Sequence, residues 1–356
     1  MGREDPPEQG ASPLPPWCTP GAADRPSGLE EVPLEDLVAE TIGRIRAAGA
    51  LAGSQCAIDR VQDLKDILET LLEVDENRFS RTRYKGLFFD FHLGVEPRPP
   101  LRGATIVDIG SGPRNPAGLG FLFLMLGAKR CYLIEPDTIW NLARATRALA
   151  ELAASMLLDP GAIVGDFPVT PKEILHNIGS FDLAALGRGD PSGIDRDRLI
   201  LRRTDADAMP LEEGEADLVI SQAVWQHVER IEESMAETAR VTRQGGLGIH
   251  GIDTTDHRRY EDRTCHPLEY LKLDTQEDYL RLAGGQDKQV VFSQNRLRPC
   301  QFRECFQRHG FEVLQFRDWG RIPVSEKLRA QFVEPFRSMP LTDLEPAGGQ
   351  FLVRKK

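Results

Sequence analysis

The chain has no CxxC pair among its six cysteines, no apolar run long enough to span a membrane, no excess of positive charge and no apolar signal core at its amino terminus. Each absence narrows the field. Cys18, Cys56, Cys131, Cys265, Cys300 and Cys305 are scattered, so neither a zinc site nor a disulfide framework is indicated, and buried structural thiols are the expectation. The longest apolar run, Gly118 to Gly127, is half a membrane span and fits a buried helix. A formal net charge of -11 argues against the broad basic surface that nonspecific nucleic-acid binding requires, so nucleic acid is not the expected partner. The opening Met1-Gly2-Arg3-Glu4-Asp5-Pro6 offers no signal core, and Pro6 stands where a myristoylation signal takes Ser or Thr. A cytoplasmic location without membrane attachment is expected.

What the 356 residues do contain is a soluble globular profile, 40% hydrophobic and 28% charged, enough for one large α/β domain with additions. Residues 1–32 are rich in Pro, Gly, Ser and acidic side chains and are expected to be a disordered tail. Two amphipathic helices follow, carried by Leu34, Leu37, Val38, Ile42 and Ile45 and then by Val61, Leu64, Ile67, Leu68, Leu71 and Leu72. Asn77 to Pro100 mixes Arg81, Arg83 and Lys85 with Phe79, Tyr84, Phe88, Phe89 and Phe91, as a loop over a pocket would. Strands and helices then alternate, which predicts a parallel sheet covered on both faces. The expected strands are Thr105 to Ile109, Arg130 to Ile134, Leu199 to Arg202, Asp217 to Ser221 and Leu247 to Ile252, with Phe311 to Phe316 and Gln350 to Arg354 at the end. Helices are expected over Ala117 to Leu126, Ile139 to Leu158 and Ile231 to Arg243. Pro160 to Arg198 breaks the rhythm as an insertion with one short helix near Lys172 to Leu186, placed where a lid can form.

The chemistry starts at Asp108-Ile109-Gly110-Ser111-Gly112-Pro113, a buried strand running into a glycine turn that lets a ligand touch the backbone. Glu135 closes the next strand 23 residues after Gly112, where a carboxylate can accept from both ribose hydroxyls. To this point NAD and S-adenosylmethionine fit equally. Pro113 and Pro116 each remove an amide from the helix start where a pyrophosphate would sit, and the third glycine of the dinucleotide fingerprint is missing, which counts against a nicotinamide-dependent dehydrogenase. Further on, Asp205-Ala206 with Met209-Pro210 supplies an acceptor and a backbone donor able to recognise adenine.

Taken in order, Asp108-Ile109-Gly110-Ser111-Gly112, Glu135, Asp205-Ala206 with Met209-Pro210, Asp217-Leu218-Val219-Ile220-Ser221 with Gln226-His227-Val228, and Gly245-Gly246 resemble the class I S-adenosylmethionine-dependent methyltransferases. The resemblance covers Ala104 to Asp253, and Arg114 departs from it where a third glycine is usual. It implies a Rossmann-like seven-stranded, mostly parallel sheet with helices on both faces, plus an N-terminal helical cap and an insertion or lid. It also implies that Asp108, Gly110, Ser111 and Gly112 line the methionine end of S-adenosyl-L-methionine, Glu135 and Pro136 the ribose, Asp205 and Ala206 the adenine, and Ser221 or Gln222 the floor beneath the sulfonium. The expected division is a tail over 1–32, a helical cap and substrate-side loop over 33–100, a cofactor-binding core over 101–257 with its insertion at about 160–198, and a substrate-side segment over 258–356.

Downstream of the core, Asp253-Thr254-Thr255-Asp256-His257-Arg258-Arg259-Tyr260 looks like a bacterial subgroup associated with polysaccharide or secondary-metabolite modification, so a small-molecule or glycan-type acceptor is expected. Methyl transfer to a hydroxyl needs alignment and removal of a proton. His257, with Asp256 or Asp253 beside it, is the first candidate base and His227 the second; a loop histidine bonded to a carboxylate is the competing reading for both. A metal held by Asp253, Asp256 and His257 is not expected, because hard cations want more oxygen ligands than are evident. Arg258, Arg259 and Arg263, with Arg81, Arg83 and Lys85, form either a cationic rim for an acidic acceptor or plain solvated charge. Asn295 to Arg298 is read as bracing the carboxyl-terminal part against the lid through its two arginines. A non-catalytic, cofactor-binding regulatory protein is the alternative from outside enzymology, since fold does not fix function. The oligomeric state stays open.

Overall fold

A computed structural model describes residues 99, 101–113, 115–139, 141–165, 167–260, 264–283 and 294–356. The expected tail, helical cap and aromatic-basic loop, together with Arg81, Arg83, Lys85, Arg114 and Arg263, lie outside the described residues.

Thr105–Ile109 is buried at every position, as a strand covered on both faces must be, and so shows no alternation in sequence. It is an interior strand of one sheet. Its strands are β1 (Thr105–Ile109), β2 (Arg130–Ile134), β3 (Leu199–Arg202), β4 (Ala216–Gln222), β5 (Thr242–Asp253), β6 (Phe311–Asp318) and β7 (Gly348–Lys355). Their spatial order is β3-β2-β1-β4-β5-β7-β6. The first five pair in parallel, while β7 runs antiparallel to both β5 and β6. The order in which the chain adds strands reverses between β1 and β4. In an open α/β sheet that switch point, outside the carboxyl ends of the strands, is where ligands bind.

Helix α1 (Gly118–Met125) is buried along its whole length. One side meets the sheet, where a side chain at Gly120 would collide with Leu133 and Leu199. The other side meets the insertion. Helix α2 (Leu142–Leu158) starts three residues later than its periodicity predicts, because the Asn141 side chain accepts the Arg144 N–H and caps it there. The opposite face of the sheet carries α3 (Ile231–Val241) and α4 (Pro299–Arg308), which bury Met235, Ala239, Phe302 and Phe306 against β-strand residues such as Val219 and Phe351. β5 begins directly after α3, at Thr242, five residues ahead of the predicted start.

The insertion holds three short helices, Pro160–Val164, Pro171–Asn177 and Leu183–Gly187, where one was expected. The split has a local cause. Thr170 and Glu173 form a capping box, and Asp182 caps a fresh start by accepting from Ala184 and Ala185. Ile163, Val164, Ile174, Ile178, Phe181 and Leu186 are buried in the core that also holds residues of α1 and α2. As placed, this segment is an outer layer on those two helices.

Carboxyl-terminal to β5 a third apolar cluster forms from Leu268, Tyr270, Leu271, Tyr279, Val324, Phe332, Phe336 and Leu344. Arg298, fully buried, joins it to the sheet. Its guanidinium donates to the carbonyls of Thr254, Leu344 and Pro346 and to the Tyr270 hydroxyl. Burial pushes the Tyr270 hydroxyl up to about 12, so it stays protonated and donates to Thr254 O at 2.8 Å. Arg298→Met keeps the length of the side chain but strands buried carbonyls, which should cost at least about 2 kcal/mol. Urea unfolding measures it; a loss under about 0.5 kcal/mol would show that the buried charge is dispensable.

Candidate active site

Positive φ at Gly110 (+67°) and Gly112 (+87°) turns the chain sharply after β1. Both Gly110 N–H and Ser111 N–H donate to Ile134 O, at 2.8 and 3.3 Å, fastening the turn to the end of β2. Glu135 completes the fastening. Its Oε2 accepts from Gly112 N–H at 2.7 Å and its Oε1 from Asp137 N–H at 3.0 Å. Burial raises the Glu135 carboxyl above its ordinary value, and the two backbone donors oppose that rise. Lone pairs remain for ligand hydroxyls. Asp108 is buried in β1, and Pro136 is exposed beside Glu135 with its carbonyl accepting from Arg203.

The third element of this edge is the loop after β3. Asp205 is exposed and Ala206 buried, while Met209 is held by its backbone: its N–H donates to Glu237 at 2.9 Å and its carbonyl accepts from Arg240. Thus α3 positions the loop. Arg230 adds an ion pair to Asp207 at 2.7 Å.

At the end of β4 the two predicted floor residues behave differently. Ser221 is wholly buried, and its hydroxyl lies 2.9 Å from Nδ1 of His250, which also receives the Trp225 indole N–H at 3.2 Å. Its side chain therefore faces the core, and what Ser221 presents at the edge is backbone. Gln222 instead lies over Gly251, where any Cβ would strike its amide, and its Oε1 is buried without a partner. Next comes Ala223 at φ +53°, an uncommon conformation for a non-glycine residue. Val224 then packs where a Cβ of Gly110 would be. Three strand ends converge on that glycine.

The two candidate histidines, 30 positions apart in sequence, are brought together here. Their rings stand 4.8 Å apart at 63°. Asp253 lies behind His257, with Oδ2 at 3.5 Å from Nε2, a distance that supports a charge more than a hydrogen bond. Asp253 is itself fixed by the N–H and hydroxyl of Thr255, at 2.8 and 2.7 Å. Asp256 is a different matter. It is fully buried and takes a forked contact from Arg258, so it is the arginine's partner and not an orienting group for His257. The same bond removes Arg258 from any cationic rim; its guanidinium lies over Tyr279.

Sequence reasoning overlooked Gln294 among the residues that hold this edge. Gln294 is wholly buried, accepts from His257 N–H and the Tyr279 hydroxyl, and donates to Thr255 O. Asn295 donates to the carbonyls of Trp225 and Val228. The expected brace against the lid is replaced by another: these two amides and Arg298 tie the loops after β4 and β5 to the segment ahead of α4, while Arg296 donates to Leu273 O. The buried ring of His250, stacked on Phe306 at 5.2 Å, was also missed. Its signal was available: a lone histidine inside an apolar strand pattern.

A methyltransferase domain model matches residues 184–249, from the last insertion helix through most of β5. The glycine turn, the acid closing β2 and the switch-point sheet precede and enclose that stretch. The chain carries a methyltransferase domain over this stretch, set in a sheet with the strand order given above. Solved structures similar to it include an S-adenosylmethionine-dependent methyltransferase from Mesorhizobium loti, 16% identical over 72% of this chain and 93% of that one, with a TM-score of 0.39. A geranyl diphosphate methyltransferase in complex with S-adenosylmethionine is 13% identical, covering 77% of this chain and 85% of that one, with a TM-score of 0.38. The [4+2]-cyclase SpnF is 14% identical over 77% and 80%, with a TM-score of 0.36. No curated protein matches the sequence.

Two buried polar atoms without partners at this edge, Ser111 Oγ and Gln222 Oε1, fit S-adenosylmethionine as the cofactor held there. Among the described residues no helix is long and apolar enough to cross a membrane. Glu135→Gln preserves shape but replaces one acceptor oxygen by a donor facing a backbone N–H. It is expected to weaken S-adenosylmethionine binding by about ten- to a hundredfold, the span of a charged hydrogen bond. Calorimetric titration decides, and an unchanged Kd would remove the carboxylate from the site.

Proposed function

We propose that this chain methylates an oxygen atom of a small-molecule or glycan-type acceptor, with His257 receiving the hydroxyl proton. The observation that carries the reading is the pairing of His227 and His257 with Asp253, on loops that leave the carboxyl ends of β4 and β5 beside the glycine turn. Asp108, Gly110, Ser111 and Gly112 would cradle the methionine end, Glu135 with Pro136 the ribose, and Asp205 with Ala206 the adenine. The Gln222 amide and the Ser221 backbone would floor the site. Bound S-adenosylmethionine supplies an electrophilic methyl group on a sulfonium.

The protein's share is alignment and proton removal. As the acceptor oxygen takes the methyl group and the sulfur–carbon bond breaks, the hydroxyl proton passes to the imidazole. An imidazolium at His257 lies within reach of the Asp253 carboxylate, which stabilises it. His227 packs edge-on against the ring and limits its rotation. Asp256 contributes through Arg258 to the shape of the loop.

His257→Ala is expected to lower kcat by about a hundredfold or more, the usual share of a general base, with S-adenosylmethionine affinity within about threefold of the wild type. The assay follows acceptor hydroxyls gaining one methyl group by mass spectrometry. Wild-type turnover in both His257→Ala and His227→Ala would end the histidine mechanism. Preferential binding of NAD would favour a dehydrogenase, and tight S-adenosylmethionine binding without product across a broad acceptor panel would favour a regulatory protein.

A further inference from the structure

Away from the carboxyl edge, on the helical face formed by α3 and α4, Cys305 and His309 stand four residues apart at the end of α4 and so share one side of it. Glu232, in the first turn of α3, faces them. Its Oε2 is 2.7 Å from His309 Nε2 and its Oε1 is 3.7 Å from Cys305 Sγ, and the three donor atoms all lie within 4.8 Å of one another. We propose that Glu232, Cys305 and His309 form a binding site for a zinc-type divalent cation that staples α3 to α4.

Tetrahedral zinc bonds of about 2.0–2.3 Å place neighbouring donor atoms roughly 3.3–3.7 Å apart, so the trio needs to regroup by only about 1 Å. The donor set also selects the metal. One thiolate, one imidazole and one carboxylate suit zinc or cobalt, whereas calcium and magnesium would want oxygens alone. Exposure rises across the trio from the buried Cys305 to the half-exposed Glu232. Three protein ligands leave a fourth position. His309 lines an open groove of about 580 Å³, together with Arg240, Thr242, Gln244 and Lys355, through which water or a small anion can reach it. Arg308 donates to Glu232 Oε1, and it can keep holding the carboxylate as an outer-shell partner once one oxygen turns to the metal. Binding converts the Cys305 thiol to thiolate and releases its proton to solvent, so two negative ligands neutralise the dication.

The site has a structural consequence. Two turns along the same α3, Glu237 and Arg240 hold Met209 and with it the 204–209 loop. A metal fixing the start of α3 therefore stiffens one wall of the cofactor edge from behind. The proposal does not depend on the methylation chemistry.

The full chain, stripped with chelator, is titrated with cobalt(II), whose thiolate charge-transfer absorption and intense tetrahedral d–d bands report a mixed sulfur, nitrogen and oxygen site; zinc is then added in competition. One equivalent should bind with those bands and be displaced by zinc. Cys305→Ser and His309→Ala should lose affinity by at least about a hundredfold, the upper end of what even an outer-shell change costs. Thermal melts without metal establish that each variant is folded, and Glu232→Gln with the more exposed His309→Ala decides if Cys305→Ser does not fold. Absence of the bands in the wild type, or bands that persist unchanged in folded variants, would overturn the proposal and leave an ion pair beside a buried thiol.

Discussion

Everything at the carboxyl edge depends on how closely the ends of β1, β2 and β4 approach one another around Gly110. The turn is fastened to Ile134 by two N–H groups and to Glu135 by a third, while Val224 occupies the space a side chain at Gly110 would need. Such an approach requires a residue without Cβ at positive φ, and it fixes the neighbours in turn. With Val224 seated there, Ala223 is held at φ +53°, and Trp225 points its indole to His250 below. His227 then emerges on the side where His257 arrives. The strained alanine persists because its surroundings over-determine it, as strained residues at functional sites do.

The second constraint is electrostatic. Burying Glu135 disfavours its charged form, and only the donors from Gly112 and Asp137 counter that penalty. A carboxylate held in this way is already oriented and partly desolvated. A hydroxyl-bearing ligand then adds hydrogen bonds without first having to order the side chain, which is the energetic benefit of preorganisation.

The sheet was legible in sequence because the parallel strands are built on short, mostly buried apolar runs bounded by turn residues, and all seven strands were located to within a few residues apart from the early start of β5. Local capping was legible in principle: Asn141, Thr170 and Asp182 each set a helix start that periodicity alone misplaced. What could not be read was the pairing of distant polar groups. Asp256 and Asp253 are equivalent neighbours of His257 in sequence, and only the fold decides that Arg258 claims one and Thr255 secures the other. Ser221 lies at the expected strand end, yet strand alternation and the presence of His250 across the β4–β5 ladder turn its hydroxyl inward. In sequence Cys305 is one of six scattered cysteines and His309 goes unremarked, because the third member of their cluster, Glu232, lies on another helix.

Buried polar side chains make the acceptor side rigid. Gln294, Asn295 and Arg298 satisfy backbone groups of the loops after β4 and β5 from within one short segment ahead of α4, so the two histidines are supported through their backbone. A buried polar network of this kind specifies one loop geometry through the groups it satisfies, and of its members Arg298 keeps Nε buried without a partner. Arg298 shows how far the constraint reaches. It carries a guanidinium into the interior with backbone carbonyls as its partners, at the junction between the sheet and the cluster around Tyr270 and Phe336. The elements after β5 are therefore not an appendage that can drift relative to the core. They share hydrogen bonds with the loop that carries His257, so changes in that cluster should be felt at the acceptor position before they are felt at the glycine turn.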